Sequence, residues 1–219
     1  GTRHLVADAI TDADLAVLAD ALDGEPLVAG SAGLVGAIAL RQTAGGTTAP
    51  APPSGRTAII AGSCSRRTLE QIDRFVGAGN PSHRVVAEPG DTAELLAARA
   101  VEWWDRQPSD AAALIYSSSP AAQRRHDVPG AGELYERTAG LIASQLSDRG
   151  VKRMLIAGGE TSGEVIRALG TTVAVVGEEV APGAPWIHDE ARDVHLVLKS
   201  GNFGEEDLFV EVARQGRTA

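Results

Sequence analysis

Four short polar stretches carry the residue types that chemistry on an anion would need. They are GSCS at Gly62–Ser65, YSSS at Tyr116–Ser119, GGETSG at Gly158–Gly163 and KSGNFG at Lys199–Gly204, and each follows an apolar run. GGETSG is the richest. Gly158 and Gly159 let the backbone approach a ligand closely, and a helix starting beyond them offers free N–H donors and the positive end of its dipole. Thr161, with Glu164 three residues on, has the spacing of a capping box, so the helix is expected to begin near Thr161. Phosphate suits such a turn. The stretch lacks the Gly-Lys-Ser/Thr ending of a Walker loop and the G-x-G-x-x-G spacing of a dinucleotide fold. A capped strand-to-helix turn with no ligand would use the same residues.

The other stretches repeat this logic. Ser63 and Ser65 can cap the next helix or bind an anion, and Arg66 and Arg67 follow them. Lys199 closes an apolar run ahead of Ser200 and Gly201; it can neutralise a phosphate as a point charge or stand as a surface lysine beside a turn. Cys64 reads as a small packed residue, since no neighbouring histidine would activate it. Trp103 and Trp104 read as helix packing, and Trp186 as a loop residue that packs or stacks on a base. The histidines, at 4, 83, 126, 188 and 195, show no metal-ligand spacing, so no transition-metal site is expected.

The elements that must hold these stretches alternate. Short apolar runs (HLVADAI, PLVAG, TAIIAGS, RVVAEP, AALIYSSS, KRMLIAGG, TVAVVG, VHLVLKSG) read as strands, and the segments between most of them read as helices. Asp12 and Asp14 suit the first turn of the first helix. The strand candidates lack period-two polarity, which predicts a three-layer α/β fold: a single domain with a largely parallel sheet and helices on both faces. In such a fold ligands sit beyond the carboxyl ends of the strands, where the four polar stretches fall. Thr43–Gly55, rich in proline and glycine, reads as a loop inside that domain.

The composition agrees. The chain has 219 residues, 43% of them hydrophobic, enough for a real core. A net charge of -9 lacks the basic footprint that nucleic acid or an anionic membrane surface would require. No apolar run approaches the ~20 residues of a membrane helix. A single cysteine excludes an internal disulfide and fits a reducing, cytoplasmic setting.

GSCS, AGGETSG, GEEVAPGAPW and LKSGNFG, in that order, resemble the C-terminal, nucleotide-binding domain of the four-carbon acid sugar kinases. DAITDADL and SAGL at Ser31–Leu34 extend the resemblance over nearly the whole chain. It departs at Glu179 and Val180, where the family often has proline and isoleucine. The resemblance implies that residues 1–219 are the nucleotide-binding domain of a two-domain enzyme that phosphorylates threonate, erythronate or their 3-oxo relatives with ATP and Mg²⁺. The family's acid-sugar domain, with its aspartate-rich motif and catalytic base, has no counterpart here. The chain is therefore expected to be half an enzyme, in keeping with a first residue, Gly1, that is not methionine. It would be inactive alone and would meet its acid sugar through the missing domain. Ser63, Gly158, Gly159, Glu160, Thr161, Ser162, Gly163, Lys199 and Gly201 are the implied nucleotide contacts, with Glu160 holding Mg²⁺ through water. A non-catalytic module that senses a nucleotide or sugar phosphate with the same loops is the alternative. Assembly as a homo-oligomer is left open.

Overall fold

The computed structural model describes residues 6–42, 50–120 and 128–217. The chain divides into two compact units, Gly1–Thr47 and Thr48–Ala219, so the boundary falls within the proline- and glycine-rich loop, of which 43–49 lie outside the described residues.

The first unit contains two helices, α1 (Asp12–Ala21) and α2 (Ala32–Gln42). Thr11 caps α1 reciprocally: its hydroxyl accepts the Asp14 amide, and the Asp14 carboxylate accepts the Thr11 amide at 2.8 Å. These two backbone bonds from Thr11 and Ile10, with the Thr11 hydroxyl, hold the Asp14 carboxyl below its ordinary range. The strands expected at HLVADAI and PLVAG are not formed among the described residues. Their apolar runs are very short, and Leu27, in the second, is exposed.

The second unit is the expected three-layer α/β fold. Its elements are β1 (Thr57–Ala61), α3 (Arg66–Gly77), β2 (Ser82–Arg84), α4 (Ala93–Asp105), β3 (Ala113–Tyr116), α5 (Ala131–Asp148) and β4 (Arg153–Ala157). They continue with α6 (Gly159–Leu169), β5 (Val175–Ala181), β6 (Ala184–Asp189), β7 (Val194–Lys199) and α7 (Leu208–Gln215). The seven strands run in the order β2-β3-β1-β4-β7-β6-β5. The first five are mutually parallel, and β6 and β5 add an antiparallel hairpin at one edge.

Alternate residues of each central strand feed opposite cores. Ala58 and Ile60 of β1, with Met154 and Ile156 of β4, pack beneath α4, α5 and α6. Ile59 and Ala61, with Leu155 and Ala157, pack beneath α3 and α7, which contribute Ile72, Phe75, Leu208, Phe209 and Val212. Each large side chain buried this way stabilises the unit by roughly 1.5–3 kcal/mol. Both faces are covered, which is why the strands carry no polar alternation.

Three strand boundaries differ from expectation. Strand β5 starts at Val175, inside the TVAVVG run, and continues through GEEV to Ala181. Strand β2 occupies Ser82–Arg84, ahead of the RVVAEP run, whose remainder is irregular. Trp186, expected in a loop, lies instead in strand β6, where it and Ala184 are buried. It turns back from β5 at Pro182–Gly183, where Gly183 has φ 75° and its amide donates to the Glu179 carboxylate at 3.0 Å. Pro185 is accommodated opposite Glu179 because the β5–β6 register is irregular there.

At the amino-terminal end of the sheet, His188 and His195 are direct partners on β6 and β7, with stacked rings 4.1 Å apart. Burial first, and then His188, push His195 below the ordinary imidazole range. The unfolded chain therefore binds a proton that the folded one resists. Stability is complete above about pH 6.5 and is lost as pH falls below it. We expect the unfolding temperature to drop between pH 7 and pH 5, and His195→Gln to reduce that drop. An unchanged slope in the variant would assign the effect to another group, such as His83, which burial also depresses.

Candidate functional site

All five parallel strands finish in one row: Arg84, Tyr116, Ala61, Ala157 and Lys199 are paired in succession across the sheet. The ladder continues one step beyond the row. The Ala157 carbonyl accepts the amides of Gly62 (3.0 Å) and Ser63 (3.1 Å), and the Gly158 amide donates to the Lys199 carbonyl at 3.0 Å. The turns after β1 and β4 are thereby brought side by side, next to the end of β7.

Small residues are required where they meet. A Cβ on Gly62 would collide with the Thr161 hydroxyl. One on Gly158 would lie 2.8 Å from that hydroxyl and 3.1 Å from the Ser63 nitrogen, and one on Gly201 would lie 2.5 Å from Ser63 Oγ. Gly158 also has φ 132°, a conformation that side chains rarely adopt. This turn reverses the chain from β4 straight into α6, so the helix begins at Gly159, two residues before the expected start. The Thr161–Glu164 capping box does not form, because both residues lie inside the helix and Glu164 pairs with Arg167.

The consequence is an uncapped first turn. Gly158 supplies no side-chain cap, and the Ser162 amide closes the first intrahelical bond onto the Gly158 carbonyl at 2.8 Å. The amides of Gly159, Glu160 and Thr161 have no intrahelical acceptor. They open onto a cleft of about 750 Å³.

Ser63, Gly158, Gly159, Glu160 and Thr161, all expected as nucleotide contacts, line this cleft. Ser63 Oγ accepts the Ser65 amide at 3.2 Å while Ser65 caps α3, so GSCS both binds its own helix and faces the cleft. Ser162, Gly163, Lys199 and Gly201 are not among the lining residues. Ser162 turns inward, its hydroxyl buried without a hydrogen-bond partner, and Gly163 is exposed on the helix. Lys199 is 1% exposed, and its ammonium lies 5.9 Å from the ring of Phe209. Burial first, then the like charge of Arg67, push its pKa down to about 8.

The far wall was not anticipated. Arg84, Val85 and Val86, just past β2, face Ala131, Gly132, Tyr135 and Glu136 at the start of α5 across the same cleft. The Ala87 amide donates to the Tyr135 hydroxyl at 2.9 Å, tying the two segments together. Gly130, at φ 68°, precedes α5 without a side-chain cap, so a second helix start faces the space. Ser117 and Ser119 of the YSSS stretch complete the lining. The site lies between neighbouring strands β1 and β4, whose following helices pass to opposite faces of the sheet, the arrangement that opens a ligand crevice in doubly wound folds. Among the described residues no group of three or more histidine, cysteine or acidic side chains could hold a metal ion, and no helix is long and apolar enough to cross a membrane.

A site of glycine turns and helix starts at the carboxyl edge of a parallel sheet is that of an α/β nucleotide-binding domain. Residues 58–209 match the family model described as a nucleotide-binding C-terminal domain. The chain is 35% identical to the 3-oxo-tetronate kinase of Haemophilus influenzae, over 95% of this chain and 52% of that protein. It is 37% identical to the 3-oxo-tetronate kinase of Cupriavidus necator, over 98% and 52%. It also superposes on a crystal structure from Salmonella typhimurium LT2 with a TM-score of 0.78 and 30% identity, covering 95% of this chain and 52% of the other. The chain belongs to the four-carbon acid sugar kinase family, as its nucleotide-binding C-terminal domain. It spans about half the length of the curated relatives it matches.

Adjacent glycines of the turn should respond differently to substitution. Gly158→Ala places a side chain at φ 132° against Thr161 and Ser63, and is expected to cost about 1–3 kcal/mol. Gly159→Ala meets nothing within 4 Å and should leave stability unchanged or raise it by up to about 1 kcal/mol. Denaturant unfolding of the two variants checks the contrast.

Proposed function

We propose that these residues form the ATP-binding part of a kinase for a four-carbon acid sugar of the threonate, erythronate or 3-oxo-tetronate type. The observation that carries this reading is the open first turn of α6, whose unpaired amides line the same cleft as the Ser63 hydroxyl. Phosphoryl transfer asks a protein mainly to position groups and to spread charge over phosphate oxygens. ATP, when bound, supplies the phosphoryl group and the leaving diphosphate.

The residues present fit that guest. The Gly159, Glu160 and Thr161 amides, with the positive end of the α6 dipole, offer fixed donors that need no reorganisation as charge develops. Ser63 Oγ and Thr161 Oγ1 add hydroxyls beside them. Arg84 at the far wall supplies the cleft's cation, a role expected of Lys199. The Gly158 amide, which the sequence suggested as a donor, is already engaged by the Lys199 carbonyl. Glu160 is exposed at the cleft mouth, where its carboxylate can hold Mg²⁺ through water, in keeping with the few direct protein ligands that ion takes. The acid sugar and its general base are assigned to protein beyond these 219 residues. This rests on relatives about twice as long and on the requirement that a base reach the acceptor hydroxyl within hydrogen-bond distance.

Two measurements test the reading. Calorimetric titration with ATP and Mg²⁺ should show binding, and Gly159→Val, which has room to fold, should weaken it at least tenfold by crowding the donors. Wild-type affinity in the folded variant would remove the cradle from α6. ADP release by these residues with threonate, erythronate or 3-oxo-tetronates should stay at background, and joining them to the other half of the enzyme should raise it. Rapid acid-dependent turnover by the 219 residues alone refutes the half-enzyme reading, and binding without turnover even in the longer protein favours a sensing module.

A further inference from the structure

Lys199 is the least expected residue near the site. Its ammonium is buried and donates to Thr68 Oγ1 (3.1 Å), the Ser200 carbonyl (3.1 Å) and the Gly201 carbonyl (3.0 Å). An ammonium has three donors, and all three are engaged by uncharged oxygens. The Gly201 carbonyl also accepts from Ser65 Oγ (2.6 Å) and Thr68 Oγ1 (2.8 Å). Three donors thus converge on one carbonyl oxygen. They bind the turn after β7 to the first turn of α3, which Ser65 caps. Ser63 sits at the meeting point: it precedes that cap, faces the cleft, and lies so near Gly201 that a Cβ there would come within 2.5 Å of its hydroxyl.

Among the described residues no carboxylate is paired with this ammonium. On α3, Arg67 faces it with the same sign and is itself paired with Glu70 (3.3 Å) and, more loosely, with Glu205 of the β7–α7 connection (3.9 Å). Helix α7 presents the Phe209 ring, and β4 presents Ala157 as its strand partner. Burying an ammonium without a carboxylate is costly, and neutral acceptors offset only part of that cost. Such a charge is better accommodated when an anion occupies the adjoining cleft.

We propose that Lys199 is a positioning residue for nucleotide binding: its buried ammonium gathers the β7 turn onto the start of α3, fixes Ser63 at the cleft, and favours an anionic phosphate from behind the cradle without touching it. This inference rests on the nucleotide reading of the cleft and extends it to a residue outside the lining. It predicts that binding and protonation are linked. Nucleotide binds the charged form more tightly, so affinity is full below the Lys199 pKa and falls as pH rises through about 8.

The test is calorimetric titration of the 219-residue chain with ADP between pH 7 and pH 9.5, where the terminal phosphate of the probe is already largely ionised. Thiols as a class ionise in the same range and Cys64 lines the cleft, so the series is run in a Cys64→Ser background. The expected result is a fall in affinity of fivefold or more, with circular dichroism unchanged across the series. Lys199→Met should bind ADP at least fivefold more weakly at pH 7 and should show no fall with pH. A pH-independent affinity in the parent overturns the inference, and that arm stands even if Lys199→Met does not fold. A folded Lys199→Met that keeps the pH step, or that keeps the parent's affinity at pH 7, also overturns it. Absence of ADP binding at every pH overturns the nucleotide reading itself, and this inference with it.

Discussion

The structure turns on a row of strand ends. Arg84, Tyr116, Ala61, Ala157 and Lys199 stand level across five parallel strands, and the hydrogen-bond ladder runs one residue past them at β1 and β4, where the Gly62 and Gly158 amides reach the carbonyls of Ala157 and Lys199. Backbone amides and carbonyls must be paired when buried, so this extension fixes the heights of two turns that are far apart in sequence, and the hydroxyls of Ser65 and Thr68 draw the turn after β7 to them through the Gly201 carbonyl. Their approach then dictates glycine at 62, 158 and 201, where even a methyl group would strike Thr161 or the Ser63 region. The Gly158 turn in turn decides where α6 begins, and hence which amides stay unpaired. A single constraint on register therefore propagates from packing to the placement of the α6 amides in the cleft.

Charge is arranged around that geometry with similar economy. The chain is acidic overall, yet the cleft is faced by the starts of α5 and α6 and by Arg84, while Lys199 lies behind the cradle. Helix dipoles and buried cations act at short range, where the low local dielectric strengthens them, whereas the net negative charge sits on solvated surfaces and is screened. An anionic ligand can thus be drawn into a protein of the same sign. The apolar segment Val85–Val86 and the ring of Tyr135 give the opposite wall a different character, and the Tyr135–Ala87 hydrogen bond holds that wall in place.

Much of this was legible in the sequence. Uninterrupted apolar strands alternating with helices signalled a sheet covered on both sides, and the polar stretches marked its carboxyl edge. The same uniformity hid other features. Because both faces of β7 are buried, nothing in VHLVLK reveals which way Lys199 points, and the structure places its ammonium near the Phe209 ring and outside the cleft lining. Thr161 and Glu164 have capping-box spacing, but a local pattern cannot anticipate a chain reversal at Gly158 set by register with β1 and β7. Glu164 packs instead beside Gly140 of α5 and pairs with Arg167. Strand β6 was obscured by Pro185, whose tolerance depends on an irregular register with β5; the Pro182–Gly183 turn was its visible signal. The far wall could not be read at all, since Arg84 and Tyr135 are brought together by the sheet order and not by any motif. At the amino end, short apolar runs have strand composition, but a run of so few residues forms a strand only where a neighbour pairs with it, and pairing is not written in local sequence.

The central claim is that the turns after β1 and β4 form one phosphate cradle with the start of α6. A crystal structure of the chain with a non-hydrolysable ATP analogue and Mg²⁺ tests it most directly. Phosphate oxygens are expected within hydrogen-bond distance of the Gly159 and Glu160 amides and of Ser63 Oγ, with Lys199 Nζ still bound to Gly201 and out of contact. A nucleotide whose phosphates lie against other residues, or one seated outside the cleft between β1 and β4, would contradict it.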